Sequence, residues 1–220
     1  PSLASDGDVS PRISVESLEP KMLKTLRSVR YQPVSDPVVL SGTSPTREGS
    51  TLFSFPVQFS DNRSEGGLTV NTAAEPAELW VVDESSDKVF RYSQQGTLLG
   101  TLALTSDNGD AKGITTDGTS FWVLDKKDEK VYRYLMDGTF QDSFALTTPS
   151  DHLEGITTDG TSLWVLDKDG GVFRYNLSGI FQNDSFQLDF NNSHAEGITP
   201  DGTSLWIVDK DKDKVFHYSK

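Results

Sequence analysis

Residues 155–168 read GITTDGTSLWVLDK, and almost the same stretch occurs twice more, as GITTDGTSFWVLDK at 113–126 and GITPDGTSLWIVDK at 197–210. The four tryptophans of the chain lie on this lattice, each 42 residues after the one before: Trp80, Trp122, Trp164 and Trp206. A fixed period in the forties indicates a repeat architecture in which each unit is one supersecondary structure.

Each repeat reads as four short strands. The first, GITT, ends at an Asp-Gly pair, which favours a hairpin because the turn requires positive φ. The second, such as Leu163–Leu166, is apolar on both faces, whereas a sheet with one wet face would alternate. The third is KVFRY-like, and the fourth alternates, as in TFQDSFALT at 139–147. Sheets covered on both faces by neighbours predict an all-β protein, a β-propeller built from four 42-residue, four-stranded blades.

The stretch GITTDGTSLWVLDKDGGVFRY at 155–175 resembles an NHL-type propeller repeat, related to gluconolactonase-like and virginiamycin-lyase-like propellers. Those repeats share a Gly-Ile opening, an Asp-Gly turn, an aromatic-Val-x-Asp strand and a third strand that ends in an aromatic residue. The resemblance covers about 67–220. It implies the propeller fold and no single activity, because the family includes enzymes and also members that only bind.

The composition excludes several classes of partner. Lys+Arg 20 against Asp+Glu 33 gives a net charge of −13, which argues against nucleic acid and anionic membrane surfaces. We also expect no membrane insertion, because no apolar run approaches the length of a bilayer span. The absence of cysteine excludes disulfides, thiolate metal sites and cysteine nucleophiles.

Localisation is inferred from the first residues, PSLASDGDVS, which have neither a basic nor an apolar region of a signal peptide. We therefore expect a mature chain, with its signal peptide removed, that is extracellular or at the cell surface. Secretion would also allow glycosylation at four Asn-x-Ser sequons. Their asparagines are Asn62, Asn176, Asn183 and Asn191.

The N-terminal part lies outside the repeats at 67–220. We predict that residues 1–50 form an extended or partly disordered arm, or alternatively an arm that docks on a partner subunit. Residues 51–60, TLFSFPVQFS, alternate and are nearly in phase with the repeat, and Pro56 suits an outer strand. The side chains on the apolar face of this segment are Phe53, Phe55, Val57 and Phe59.

The last copy ends after its third strand, so residues 51–60 are predicted to complete the fourth blade of a closed ring in the same chain. Two alternatives remain open. The chain is a segment of a longer propeller, or the strand at 51–60 pairs with a neighbouring subunit and builds a filament by strand donation. In the second case the partners are other subunits, bound through the arm or the strand.

The motif His-x-Glu-Gly-Ile occurs twice, one period apart, just before the innermost strand. If these pairs converge near the axis, His152, Glu154, His194 and Glu196 would suit a divalent cation or general acid–base chemistry. The family resemblance agrees, since some gluconolactonase-like propellers bind a metal with axial acidic residues. Loop hydrogen bonding is the alternative, and Lys112 replaces the acid in one blade.

Three functions follow from these patterns. The leading hypothesis is a secreted, non-enzymatic propeller that acts as a binding or assembly module, including a filament-forming one. The second is a metal-dependent lactonase- or lyase-type enzyme with the axial site. The third is a carbohydrate-binding propeller with tryptophans as stacking platforms, although tryptophans inside apolar strands are more simply core residues.

Overall fold

The computed structural model describes residues 66–84, 86–147, 152–169 and 171–220. These residues form fourteen strands in four antiparallel sheets, with no helix among them. The predicted all-β class and four-blade organisation are therefore confirmed. The predicted arm at 1–50 and the predicted strand at 51–60 lie outside the described residues.

Blades 1 and 2 have four strands each, in simple meander order. Blade 1 consists of β1 (Leu68–Asn71), β2 (Glu78–Asp83), β3 (Lys88–Ser93) and β4 (Leu98–Ala103). Blade 2 consists of β5 (Ala111–Thr116), β6 (Ser120–Asp125), β7 (Lys130–Leu135) and β8 (Phe140–Ala145). Each strand pairs with the next along the chain because the connecting turns are short.

Blades 3 and 4 depart from the predicted four strands. Blade 3 consists of β9 (Leu153–Thr158), β10 (Ser162–Asp167) and β11 (Gly171–Asn176), and isolated bridges from Val172 to Phe186 and from Tyr175 to Phe181 stand in for its fourth strand. Blade 4 consists of β12 (Ala195–Asp201), β13 (Ser204–Asp209) and β14 (Lys214–Ser219). Within the described residues, the outer edge of β14 has no partner strand.

The apolar second strand gives every blade two buried faces, because alternate side chains point to opposite sides of a sheet. We call the face turned toward the next blade in the chain the leading face, and the opposite one the trailing face. In blade 2 the leading face carries Trp122, Leu124 and Val131. The trailing face of the same blade carries Ile114, Phe121, Val123, Tyr132 and Tyr134.

The core consists of the interfaces between successive blades. Trp80, Val82 and Val89 of blade 1 pack on the trailing face of blade 2, and the same pattern repeats from blade 2 to blade 3 and from blade 3 to blade 4. The inner strands follow one another in contact, β1 on β5, β5 on β9 and β9 on β12. No comparable packing joins β12–β14 to β1–β4 in the described part of the chain.

Tyrosines fasten each trailing face to the loop of the blade before it. The hydroxyl of Tyr134 accepts hydrogen bonds from the backbone N–H of Thr105 and the amide of Asn108, at 3.3 and 3.2 Å. Tyr218 repeats the arrangement in blade 4, accepting from Asn192 at 3.0 Å. Because a buried hydroxyl without a partner is costly, these bonds help to fix how one blade sits on the next.

The Asp-Gly pairs form the predicted turns in blades 2 and 3, where Gly118 and Gly160 have φ of 90° and 85°. The side chain of Asp159 accepts hydrogen bonds from the backbone N–H groups of Thr161 and Ser162, at 3.0 and 2.9 Å. Blade 4 differs, since Gly202 does not have positive φ and Asp201 instead pairs directly with Ser204 at the end of the hairpin.

The recurrent aspartate at the end of each second strand is buried. Asp125 accepts a hydrogen bond from the backbone N–H of Asp110, just before β5, at 3.2 Å, and another from Asp128 in the β6–β7 turn at 2.8 Å. Asp209 makes the same bonds in blade 4, accepting from His194 at 3.0 Å and from Lys212 at 2.9 Å. This carboxylate therefore joins the hairpin tip to the entry of the inner strand.

We predict that Trp164→Ala lowers the free energy of unfolding by about 3–5 kcal/mol, because a large buried side chain is lost between two blades. Trp206→Ala is the matched control, since Trp206 is 37% exposed and its loss should cost much less. Urea denaturation of both variants measures the difference. Equal midpoints would contradict the inter-blade role of Trp164.

A second prediction concerns acid sensitivity. Burial alone would raise the pKa of Asp159, but hydrogen bonds from Lys220, Thr161 and Ser162 hold it below its ordinary value of 3.8. A lowered carboxyl pKa adds stability that is present above the ordinary value and is lost as the pH falls toward the folded value. Asp159→Asn should therefore destabilise the protein at pH 7. On acidification to about pH 3, the variant should then lose less additional stability than the wild type does.

The measurement is urea denaturation at both pH values, with Lys220→Gln as the second variant. Lys220 donates to Asp159 at 2.9 Å, so its replacement should reproduce much of the effect. An acid-induced loss that is the same in wild type and in both variants would contradict this assignment.

Candidate functional site

Each inner strand of blades 2 to 4 has a β-bulge near its start. In β9 the pairing with β10 passes from Leu153 to Gly155, so Glu154 has no partner across the strand. Lys112 in β5 and Glu196 in β12 stand at the equivalent bulge. Bulges re-aim the side chain that they carry, and here they bring the charged residues of the repeat together with those of the neighbouring hairpin tips.

Glu154 lies at the centre of this charged group. Its carboxylate is within 3.6 Å of the ammonium of Lys112, 3.5 Å of Lys126 and 3.9 Å of Lys168, and its side chain is only 9% exposed. Two of these lysines belong to blade 2 and the third to blade 3. The cluster therefore links two blades by charge at the inner strands.

Two charged positions of the repeat carry the opposite charge where blades 1 and 2 meet. Glu84 of blade 1 stands where the other blades have Lys126, Lys168 and Lys210, and Lys112 of blade 2 stands where blades 3 and 4 have Glu154 and Glu196. Burial and a hydrogen bond with Asp110 raise the pKa of Glu84, whereas Lys112 and Lys126 oppose that rise. Lys112, which replaces a glutamate, thus faces Glu84, which replaces a lysine. The contact between blades 1 and 2 therefore still contains both an acidic and a basic side chain.

The four predicted metal ligands are given other partners. Nδ1 of His152 lies 2.7 Å from a carboxylate oxygen of Asp169, and Nδ1 of His194 lies 3.3 Å from Asp211, both at hairpin tips. Glu196 pairs with Lys210, and Glu154 with the three lysines. The His and the Glu of each motif thus have different ion-pair partners, and the predicted four-residue metal site stays a prediction.

No group of three or more histidine or carboxylate side chains is arranged to hold a metal ion within the described ranges. The bulge positions instead form ion pairs whose lysines would repel a cation. Within the described residues these side chains form ion pairs, and the axial cation site stays a prediction.

Replacing the central carboxylate tests this interpretation. Glu154→Gln should lower the free energy of unfolding by about 1–3 kcal/mol, because it leaves three partly buried ammonium groups without their shared counter-charge. Glu196→Gln removes one half-exposed pair and should cost under about 1 kcal/mol. Urea denaturation gives both values. If both substitutions have equal, small effects on the free energy of unfolding and both abolish binding of a divalent cation in calorimetry, the predicted metal site would be supported instead.

The leading face of blade 4 is the other unusual feature. Trp80, Trp122 and Trp164 are buried, but their equivalent Trp206 is 37% exposed. Val208 and Val215 are 41% and 62% exposed, although their equivalents in the other three blades are fully buried. Sequence reasoning missed this surface, since the residues themselves are those of a buried face and only the position of the blade leaves them uncovered.

The remaining predicted positions are distributed around the blades. Arg91, Arg133 and Arg174 pair with acids on neighbouring segments. Asn176 accepts backbone hydrogen bonds in a turn, whereas Asn183 and Asn191 are exposed. Asn62 lies outside the described residues. Glycosylation of these sequons stays a prediction.

The assembly strand predicted at Phe53, Phe55, Val57 and Phe59 also lies outside the described residues. Among the described residues, β14 is the last strand of its sheet. The described residues include no helix long and apolar enough to cross a bilayer.

The fold and these surfaces define a β-propeller class of protein, and solved structures with this architecture resemble it. Virginiamycin B lyase from Staphylococcus aureus aligns with a TM-score of 0.52 at 18% identity, over 65% of this chain and 48% of the lyase. A streptogramin B lyase aligns with a TM-score of 0.50 at 21% identity, over 64% and 46%. The expected resemblance to virginiamycin-lyase-like propellers is thus confirmed for the fold.

The similarity is not restricted to lyases. Glutaminyl cyclase from Myxococcus xanthus aligns with a TM-score of 0.52 at 10% identity, over 64% of this chain and 60% of the cyclase. The chain spans about half the length of the two lyases. No protein-family profile and no curated protein matches the sequence.

Proposed function

We propose that this chain is a binding and assembly module that works through the uncovered side of blade 4. The observation that carries the proposal is the exposed leading face of Trp206, Val208 and Val215. Contiguous exposed apolar side chains on a protein surface mark sites of interaction. The equivalent positions are buried between blades in each of the other three blades, so these side chains are of the kind that forms an interface.

The outer edge of β14, which has no partner strand in the part of the chain that the structure describes, lies beside this face. An unpaired strand edge presents backbone donors and acceptors to any strand that comes near, and proteins use such edges for strand addition. A partner that binds here therefore gains main-chain hydrogen bonds from the edge and apolar contact from the face. The proposed partners are protein subunits, in an extracellular or cell-surface setting.

A sugar is a poorer fit to the same surface. Trp206 stacks on His217 with ring centroids 4.1 Å apart, and its indole N–H already donates to Asp201 at 2.6 Å. The side chains beside it, Val208 and Val215, offer no polar group to a hydroxyl. The exposed face thus lacks the hydrogen-bonding groups that normally orient a polar ligand.

The test is sedimentation velocity over a concentration series. The wild-type chain should exceed its 24.2 kDa mass as concentration rises, because the apolar face becomes covered. Val215→Lys places a charge on this apolar face and should return the protein to 24.2 kDa.

Ile180→Lys is the matched control. Ile180 is 62% exposed, as Val215 is, but lies in the loop after β11. It should leave association unchanged. A wild type that stays at the mass of one chain at its highest soluble concentration, or equal effects of the two lysine variants, would contradict self-association through this face.

A further inference from the structure

Three contacts inside the chain show what a leading face accepts at its inner strand. A glycine of one blade lies directly against the inner strand of the next, so that a Cβ on Gly113 would be 3.2 Å from Cγ2 of Ile156. A Cβ on Gly155 would be 3.2 Å from Cγ2 of Ile198, and one on Gly67 would be 2.7 Å from Cα of Gly113. The glycine leaves the space that the next inner strand fills.

Gly197 holds the same position in blade 4, but no other blade among the described residues fills its space. A Cβ there would meet only Val208 of its own blade, at 3.1 Å. With Trp206, Val208 and Val215, this glycine forms the inner part of the uncovered leading face. The slot that receives an isoleucine from the next blade in two of the internal contacts is therefore open.

The matching side chain is found at the other end of the repeats. Leu68 pairs with Val81 in β1, as Ile114 pairs with Val123 in β5, so it occupies the trailing-face position of the isoleucines. Ile114 and Ile156 are buried, whereas Leu68 is 62% exposed and Val70, on the same face, is 44% exposed. Blade 1 thus presents an unused trailing inner strand.

We propose that the leading face of blade 4 binds the trailing inner strand of blade 1 in a second copy of this chain, with Leu68 seated against Gly197. The inference rests on the proposed assembly function and names its partner. The contact joins two different surfaces and is therefore heterologous, and such contacts form a closed assembly when the rotation between copies brings the chain of contacts back to its start.

Two copies are the number that the fold favours. The described blades align with about half of each lyase, 48% and 46%. Two copies in head-to-tail contact would supply eight blades, within the roughly 4–8 that propellers arrange around a central channel. Both contacts would then be identical, from blade 4 of each copy to blade 1 of the other.

The contact is centred on the inner strands. On the trailing face of blade 1, Val81, Phe90 and Tyr92 are already buried, so Leu68 and Val70 are the side chains left to bind. Each copy has a net charge of −13, and like-charged copies repel. Added salt screens that repulsion and leaves apolar contact intact, so the dimer should strengthen as salt is raised.

Cysteine cross-linking tests the geometry, because the natural chain has no cysteine to interfere. One sample carries Leu68→Cys and another carries Gly197→Cys. A disulfide needs Cα atoms within about 7 Å of each other. Under mild oxidation the two samples should therefore form covalent dimers when mixed, and neither should do so alone. Leu99→Cys mixed with Gly197→Cys is the control, since Leu99 is also exposed but lies in β4.

Sedimentation of the uncross-linked proteins gives the stoichiometry. The wild type should reach twice 24.2 kDa and no more, and Leu68→Lys should dissociate as Val215→Lys does. Dimers that persist in Leu68→Lys but not in Val215→Lys would overturn this docking mode and leave the proposed function standing. Open-ended polymers would overturn the closed pair, and absence of the mixed cross-link would overturn the contact itself.

Discussion

A blade that is apolar on both faces needs a neighbour on each side, and the rest of this structure depends on that constraint. A single sheet of this kind would expose its tryptophan face to water, so no blade is stable alone. Stacking blades in sequence covers each leading face with the next trailing face. Within the described residues, the hydrophobic core is accordingly divided among three interfaces between blades and a smaller cluster on the trailing face of blade 1.

Polar groups give these apolar interfaces their fixed geometry. Burial of Leu and Val surfaces is non-directional, and several rotations of one sheet on another would bury similar areas. The hydroxyl of Tyr134, which accepts a hydrogen bond from Asn108 in the loop that leads out of the preceding blade, selects one of them. The carboxylates of Asp125 and Asp209 hold the hairpin tip to the start of the inner strand within their own blade. The ion pairs at the bulges add a further constraint near the inner strands, where Glu154 engages two blades at once.

Much of the fold follows from the sequence, because the information is local and repeated. The lattice of tryptophans fixes the period, the Asp-Gly pairs fix turns at Gly118 and Gly160, and the doubly apolar second strand requires neighbours on both faces. The bulge was harder to foresee. A single unpaired residue in β9 changes what Glu154 faces, and its partners Lys112 and Lys126 come from another blade, 42 and 28 residues away along the chain.

The fourth strands show a second limit of the sequence argument. Alternation at 139–147 gives a regular β8, but the equivalent part of blade 3 is held by isolated bridges at Phe181 and Phe186. An outer strand is covered on fewer sides than an inner one, and packing specifies its register weakly. Its sequence pattern therefore predicts pairing but not continuous pairing.

Exposure cannot be predicted from a repeat unit, and this limit bears directly on function. Trp164 and Trp206 lie in nearly identical stretches of sequence, yet Trp164 is buried and Trp206 is 37% exposed. The difference comes from what lies beyond the blade, which the residues of the blade do not encode. Substitutions at Trp206 are therefore limited by the needs of any partner that covers it, whereas substitutions at Trp164 are limited by the stability of the fold. A repeat protein can therefore keep one face chemistry throughout and still bury it in some blades while exposing it in another, as Trp164 and Trp206 do here.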